Sequence, residues 1–312
     1  MTARFGALAS ALIIALLLVP ARAAVDPLPR SAPETLGLNS AKLAEATALL
    51  KQYVTDRKIA GAVAGVARKG KLAYLEAVGV QDLESRTPMT DRSLFRIYSM
   101  TKSVTAVAVM MLQEEGKFRL DDPVSKYLPE FKDVSVASAA GPRAPSRAIT
   151  IEDLLVHTSG LNHRTSEEYR RAKVRSRSMT LPEFVTSIVR VPLMEDPGTR
   201  YRYSESPTVL GRLVEIWSGK PFDVFLNERI LGPLRMSDTA FWAVPDARAR
   251  LTTVYAPASG GGLTPVELEE VPFTERPRLL EGAVGLLSTA PDYMRFSQML
   301  LNGGVLDSAR LL

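Results

Sequence analysis

Phe95-Arg96-Ile97-Tyr98-Ser99-Met100-Thr101-Lys102 leads into Val104-Thr105-Ala106-Val107-Ala108-Val109-Met110-Met111-Leu112, a run that is apolar nearly all round. Such a run reads as a buried helix with Ser99 at its N-terminus. Residues i and i+3 share one helix face, so the Lys102 side chain sits beside the Ser99 hydroxyl. Nowhere else in the chain does a lysine follow a serine at that spacing. A serine hydroxyl is a poor nucleophile until an adjacent base takes its proton. A lysine whose pKa is depressed by burial can be that base or tune one. The free N–H groups and positive dipole end of the helix favour a developing oxyanion. The same four residues also fit a serine N-cap with Lys102 snorkelling outward. Ser-x-x-Lys arises about once by chance in a chain this long, so the surrounding sequence has to decide.

The chain has 312 residues, 46% hydrophobic and 23% charged, which suits one large domain or two small ones. Residues 1–23 read as a cleavable signal peptide. Arg4 supplies the positive start, residues 11–19 the apolar core, and Ala21-Arg22-Ala23 the small-x-small cleavage site. The apolar run is too short to span a bilayer comfortably, so no stable membrane anchor is expected after cleavage. This predicts a periplasmic or secreted protein. With no cysteine, neither a disulfide nor a lipidated cysteine is available. The formal charge of +5 falls to +3 once Arg4 and Arg22 are removed. That is too mild for nucleic-acid binding. A denser cluster, Arg164, Arg170, Arg171, Lys173, Arg175 and Arg177, reads as a solvated loop face, with attraction of anionic substrates as the minor alternative.

The periodicity predicts a helix from Asn39 or Ser40 to Val54, then strands over 62–68 and 71–78 joined by a Lys69-Gly70 turn. After the Ser99 helix, Asp121-Asp122-Pro123 opens a short helix ending at Tyr127-Leu128-Pro129. Thr150 and Asp153 form an acidic capping arrangement for the next helix. Helical patterns recur over 180–190, 209–218 (stopped by Gly219) and 293–301. Residues 137–147 and 256–277 read as loops. Strands at both ends around a helical middle suggest an α/β (α+β) fold, a sheet domain with a helical insertion.

Tyr201-Arg202-Tyr203-Ser204-Glu205-Ser206 follows Pro197-Gly198 and precedes another apolar helix. A phenol beside a lysine loses its proton more readily, and Tyr203 is then a candidate general base toward Ser99. Two tyrosines at alternating positions also fit plain half-buried aromatics.

Taken together, these stretches resemble the serine β-lactamase and penicillin-binding-protein superfamily, closest to its class C-like branch with the family VIII carboxylesterases. The resemblance runs from about Leu36 to Leu312. It rests on the residues around Ser99, on 120–129, and on Leu154-Leu155-Val156-His157-Thr158-Ser159-Gly160-Leu161. Tyr203-Ser204 with Leu210-Gly211, residues 233–241 and Gly285-Leu286-Leu287-Ser288-Thr289 complete it, in order and spacing. It implies an antiparallel sheet flanked by helices, with an all-helical subdomain over roughly 91–225 inside a hydrolase domain of 24–312. It also implies Ser99 as nucleophile, Lys102 as its activating partner and Tyr203 as proton shuttle; Ser-x-x-Lys is an established signature of these enzymes.

Two features depart from the family pattern. The usual Tyr-x-Asn reads Tyr203-Ser204-Glu205, and an ionised carboxylate cannot donate a hydrogen bond as an asparagine amide does. That shifts the expectation toward esters. The family also places a third motif on a strand beyond Asn302-Gly303-Gly304, and the sequence stops at Leu312, so the C-terminal strands are expected to be missing. Of the two histidines, His157 falls at a structural loop position and gets no catalytic role. There is no Gly-x-Ser-x-Gly elbow for a Ser-His-Asp triad, and two isolated histidines without cysteine make a zinc site improbable. Gly260-Gly261-Gly262 lacks the Lys-Ser/Thr of a phosphate cradle.

The expectation is an exported serine hydrolase, free of cofactor and metal, acting on small-molecule esters or amides through an acyl-enzyme. Short-chain esters lead. A D-Ala-D-Ala peptidase or β-lactamase, an acyltransferase, and a non-catalytic peptidoglycan- or partner-binding protein are the alternatives.

Overall fold

The computed structural model describes residues 28–312, so the expected signal peptide lies outside the described residues. The elements run α1 (Ser40–Thr55), β1 (Gly61–Arg68), β2 (Lys71–Gly79), β3 (Phe95–Arg96) and α2 (Thr101–Glu114). Then come α3 (Ile151–Leu155), α4 (Glu167–Arg171), α5 (Leu181–Ile188), α6 (Ser206–Ser218) and α7 (Phe222–Leu226). The chain closes with β4 (Tyr255–Pro257), β5 (Leu263–Pro265), β6 (Leu287–Ser288), α8 (Ala290–Leu301), β7 (Val305–Leu306) and β8 (Ala309–Arg310).

Local chemistry sets most boundaries. The Asn39 side chain accepts the Lys42 N–H and starts α1. Lys69 and Gly70 both take positive φ, as a two-residue hairpin turn between twisted strands requires. β1 and β2 pair antiparallel from Gly61↔Gly79 to Arg68↔Lys71, with an irregularity at Val66/Ala67. Thr150 with Asp153 and Thr180 with Glu183 form reciprocal capping boxes on α3 and α5. Gly219, at φ 68°, ends α6.

α2 and α6 are the central pair. Val104, Val107, Ala108, Met111 and Leu112 of α2 are buried, as are Val209, Leu210, Leu213 and Val214 of α6. α3, α5 and α7 pack against α6, α1 covers β2, and α8 lies on β1. One apolar cluster runs continuously from Leu72 of β2 through both central helices to Phe296 of α8. β3 pairs antiparallel with β6, which ties the segment before Ser99 to the segment before α8.

Three expectations are corrected. Residues 121–129 form two 3₁₀ turns, Val124–Lys126 and Pro129–Phe131, because Pro123 and Pro129 each break a longer helix. Part of the expected loop 256–277 belongs to an antiparallel hairpin, β4 with β5, which the triglycine turns. Ser99 does not begin the α-helix. It lies in a 3₁₀ turn, Tyr98–Met100, and α2 starts at Thr101 with no side-chain cap on either element.

Candidate active site

Ser99 is exposed at the end of α2 that faces α6, and its side chain meets one partner: Lys102 Nζ donates to Ser99 Oγ at 3.4 Å. The same ammonium donates to the Ala283 carbonyl at 3.0 Å and lies over the Tyr203 ring, 4.6 Å from its centroid. Ser99 and Tyr203, far apart in sequence, are therefore neighbours around the Lys102 nitrogen. Tyr203 presents its ring face to the ammonium. Among the described residues no hydrogen bond joins its hydroxyl to Ser99 or Lys102.

The backbone before the nucleophile is strained. Tyr98 takes φ 43°, a left-handed conformation unusual for an aromatic residue. Its buried hydroxyl has no hydrogen-bond partner. Strain of this kind persists only where surrounding structure enforces it. Here the enforcement is tertiary: Ile97 N–H bonds the Leu286 carbonyl, and the Tyr293 hydroxyl donates to the Met100 carbonyl at 3.0 Å.

Residues 281–286 clamp α2 from the side. Thr105 Oγ1 donates to the Gly282 carbonyl at 2.8 Å, and Leu286 N–H donates to Thr101 Oγ1 at 3.2 Å. Position 282 has to be glycine, since a Cβ there would lie 2.2 Å from the Pro207 carbonyl of α6. Glu281, buried, anchors the clamp through a forked ion pair with Arg175, and Arg177 Nη1 lies 4.0 Å from it. The Lys102 acceptor at Ala283 escaped the sequence reading because a main-chain carbonyl carries no residue signature.

Tyr203 is held by both histidines. The His157 ring lies 5.0 Å from it, tilted, and the His163 ring stacks on it at 5.7 Å. Ser204 N–H donates to His157 Nδ1 at 3.2 Å and Arg202 N–H to the His157 carbonyl at 2.8 Å. Accepting at Nδ1 places the imidazole proton on Nε2. The role given to His157 by sequence, a structural one, is thus specifically the support of the Tyr203 loop. Burial, with the Lys102 charge adding to it, lowers the His157 pKa to about 4. A group depressed in the folded state contributes stability above its unfolded pKa near 6.5 and loses it as pH falls toward 4. His157→Ala is expected to cost about 1 kcal/mol at pH 7 through the lost hydrogen bond. It should also flatten the fall in stability between pH 6.5 and 4. Urea unfolding of both proteins across that range checks this, and parallel pH curves would contradict it.

Glu205 does not behave as a surface carboxylate. It is buried, its Oε2 accepts from Thr208 Oγ1 at 3.1 Å, and its N–H bonds the Asn162 carbonyl. Burial raises its pKa and the Glu281 charge adds to this, against smaller opposing effects of Lys102, Arg164 and Arg175.

An exposed serine beside a lysine held between a carbonyl and a tyrosine ring, on a helix pair flanked by antiparallel strands, is the arrangement of the β-lactamase fold. The family model for "Beta-lactamase" matches residues 46–312. The chain belongs to that family. It is 38% identical over 262 residues to Protein Rv1367c of Mycobacterium tuberculosis, covering 81% of this chain and 65% of that protein. It is 34% identical over 255 residues to Esterase EstB of Burkholderia gladioli, covering 78% of this chain and 62% of that one. The chain thus spans somewhat under two thirds of the length of these relatives. Among solved structures, "EstCE1, a hydrolase with promiscuous acyltransferase activity" superposes with a TM-score of 0.76 at 28% identity, covering 87% of this chain and 76% of that one.

Proposed function

We propose that this protein is an exported ester hydrolase that works through an acyl-enzyme on Ser99. The observation that carries the reading is the placement of Lys102 Nζ, shared between Ser99 Oγ and the Ala283 carbonyl. A neutral amine in that position donates one N–H to the carbonyl, which turns its lone pair toward the serine. Ser99 Oγ attacks the ester carbonyl and its proton passes to the neutral Lys102 amine; Tyr203, whose ring face packs on that nitrogen, acts as proton shuttle once its hydroxyl turns toward Ser99 Oγ. The tetrahedral oxyanion is received by the Ser99 N–H. Collapse releases the alcohol with the returned proton, and water then cleaves the acyl-enzyme to acid and free Ser99. The likeness to Esterase EstB and EstCE1 supports the ester class. The export rests on the signal-peptide pattern of residues 1–23.

The family match supports a second reading, hydrolysis of a β-lactam or a D-Ala-D-Ala peptide at the same serine. Acyl transfer to an added alcohol is a further outcome of the same intermediate, as the EstCE1 description suggests for that protein. Steady-state turnover of p-nitrophenyl butyrate, nitrocefin and a D-Ala-D-Ala peptide by residues 24–312 separates these. The expected result is ester kcat/KM well above the other two. Comparable or faster nitrocefin turnover would give the site to β-lactams.

A further inference from the structure

The site described so far uses only part of the cation cluster at 164–177, and the structure divides it. Arg177 is wholly buried, with its guanidinium 3.8 Å from the Phe273 ring centroid. Arg175 is occupied by Glu281 and Glu269, and Arg171 pairs with Glu167 along α4. The other three are differently placed. Arg170 and Lys173 are exposed and, among the described residues, have no carboxylate within ion-pair distance. Arg164 Nη1 reaches Glu269 only at 3.8 Å, beyond hydrogen bonding, and has no hydrogen-bond partner.

Arg164, Arg170, Lys173 and Arg175 line a single cavity of about 480 Å³. The one carboxylate in its wall, Glu269, is already engaged by Arg175 at 2.8 Å. Leu268, about half exposed, and Ser176, whose hydroxyl donates to Glu270 at 2.6 Å, also line it. The cavity therefore carries an excess of positive charge whose forked donors suit carboxylate or phosphate oxygens.

Its position links it to the reaction centre. Residues 162–164 run alongside the Tyr203 loop: the Asn162 carbonyl accepts the Glu205 N–H at 3.1 Å, and the His163 ring stacks on Tyr203. Arg164 is the next residue and turns into the cavity. Its charge also acts on Tyr98, beside the nucleophile, and on Glu205.

We propose that this cavity is an anion subsite, taking a carboxylate or phosphate carried by the ester and set several bonds from the scissile carbonyl. The inference rests on the ester-hydrolase reading and narrows it to anionic esters. Attraction from exposed cations of this kind raises encounter rates and is screened by salt.

The test compares the parent with the charge-reversed Arg170→Glu/Lys173→Glu variant on two substrate pairs. The acyl-side pair is p-nitrophenyl hemiglutarate and p-nitrophenyl hexanoate. The alcohol-side pair is the butyrate ester of glycerol 3-phosphate and glycerol monobutyrate. The expected result is a loss of about tenfold in kcat/KM for the anionic member of at least one pair at low ionic strength, and less than about twofold for its neutral partner. Sodium chloride at about 0.5 M should shrink the difference in the parent. The pair that responds tells which side of the ester carries the anion. Turnover with no charge-selective loss in either pair overturns this inference alone. No turnover of any of the four esters overturns the ester-hydrolase reading and this inference with it.

Discussion

Ser99→Ala is expected to lower p-nitrophenyl butyrate hydrolysis on the order of 10⁴-fold or more, the scale seen when a nucleophile is removed from a unit that acts together. Without Oγ no acyl-enzyme forms, so the mass of a butyryl adduct on the intact protein should vanish with the activity. Stability should hardly move. Ser99 is exposed, and its side chain has a single long hydrogen bond, from Lys102. Surface changes of that kind shift unfolding by about 0.5 kcal/mol or less. The combination of lost activity, lost adduct and unchanged unfolding separates a nucleophile from a structural serine. An active Ser99→Ala protein, or an adduct that survives, would move the nucleophile elsewhere.

Glu281→Ala should be the most destabilising single change near the site. Its carboxylate is buried and holds Arg175 in a forked pair, with Arg177 beside it. Arg177 otherwise has no hydrogen bond for Nε or either Nη and rests on the Phe273 ring. Removing the acid leaves two buried cations sharing fewer counter-charges, and breaking such a pair costs about 3–5 kcal/mol. The clamp at Gly282 and Ala283 then loosens, so kcat should fall in the molecules that remain folded. Glu281→Gln, which keeps the shape and one acceptor, should lie between. Denaturant unfolding reads the stability and initial rates read the clamp. A loss under about 1 kcal/mol for the alanine variant would mean that water or Glu269 replaces the pair.

Much of this was legible in one dimension. Hairpin, caps and helix stops follow from residues adjacent in sequence: Lys69-Gly70, Asn39, the Thr150–Asp153 box, and Gly219. The pairing of Ser99 with Lys102 was legible for the same reason, since one helical turn fixes it. The start of α2 was misplaced because nothing in the side chains of 98–100 distinguishes a 3₁₀ turn from a first α-turn. That choice is made by tertiary bonds from 286 and 293. The β4–β5 hairpin was missed because its strands are three residues each, too short for a pattern of period two.

Sequence by itself determined which residue types could do acyl chemistry and which local elements carry them, because spacing and capping are short-range effects. Tertiary structure alone decided what those residues face. It put the Ala283 carbonyl on Lys102, set both histidines against Tyr203, and buried Glu205, which raises its pKa. It also sorted six cations of one segment into core partners and open ones. Hydrogen-bond direction, desolvation and charge pairing depend on distances between segments as much as 193 residues apart. No local pattern encodes those distances.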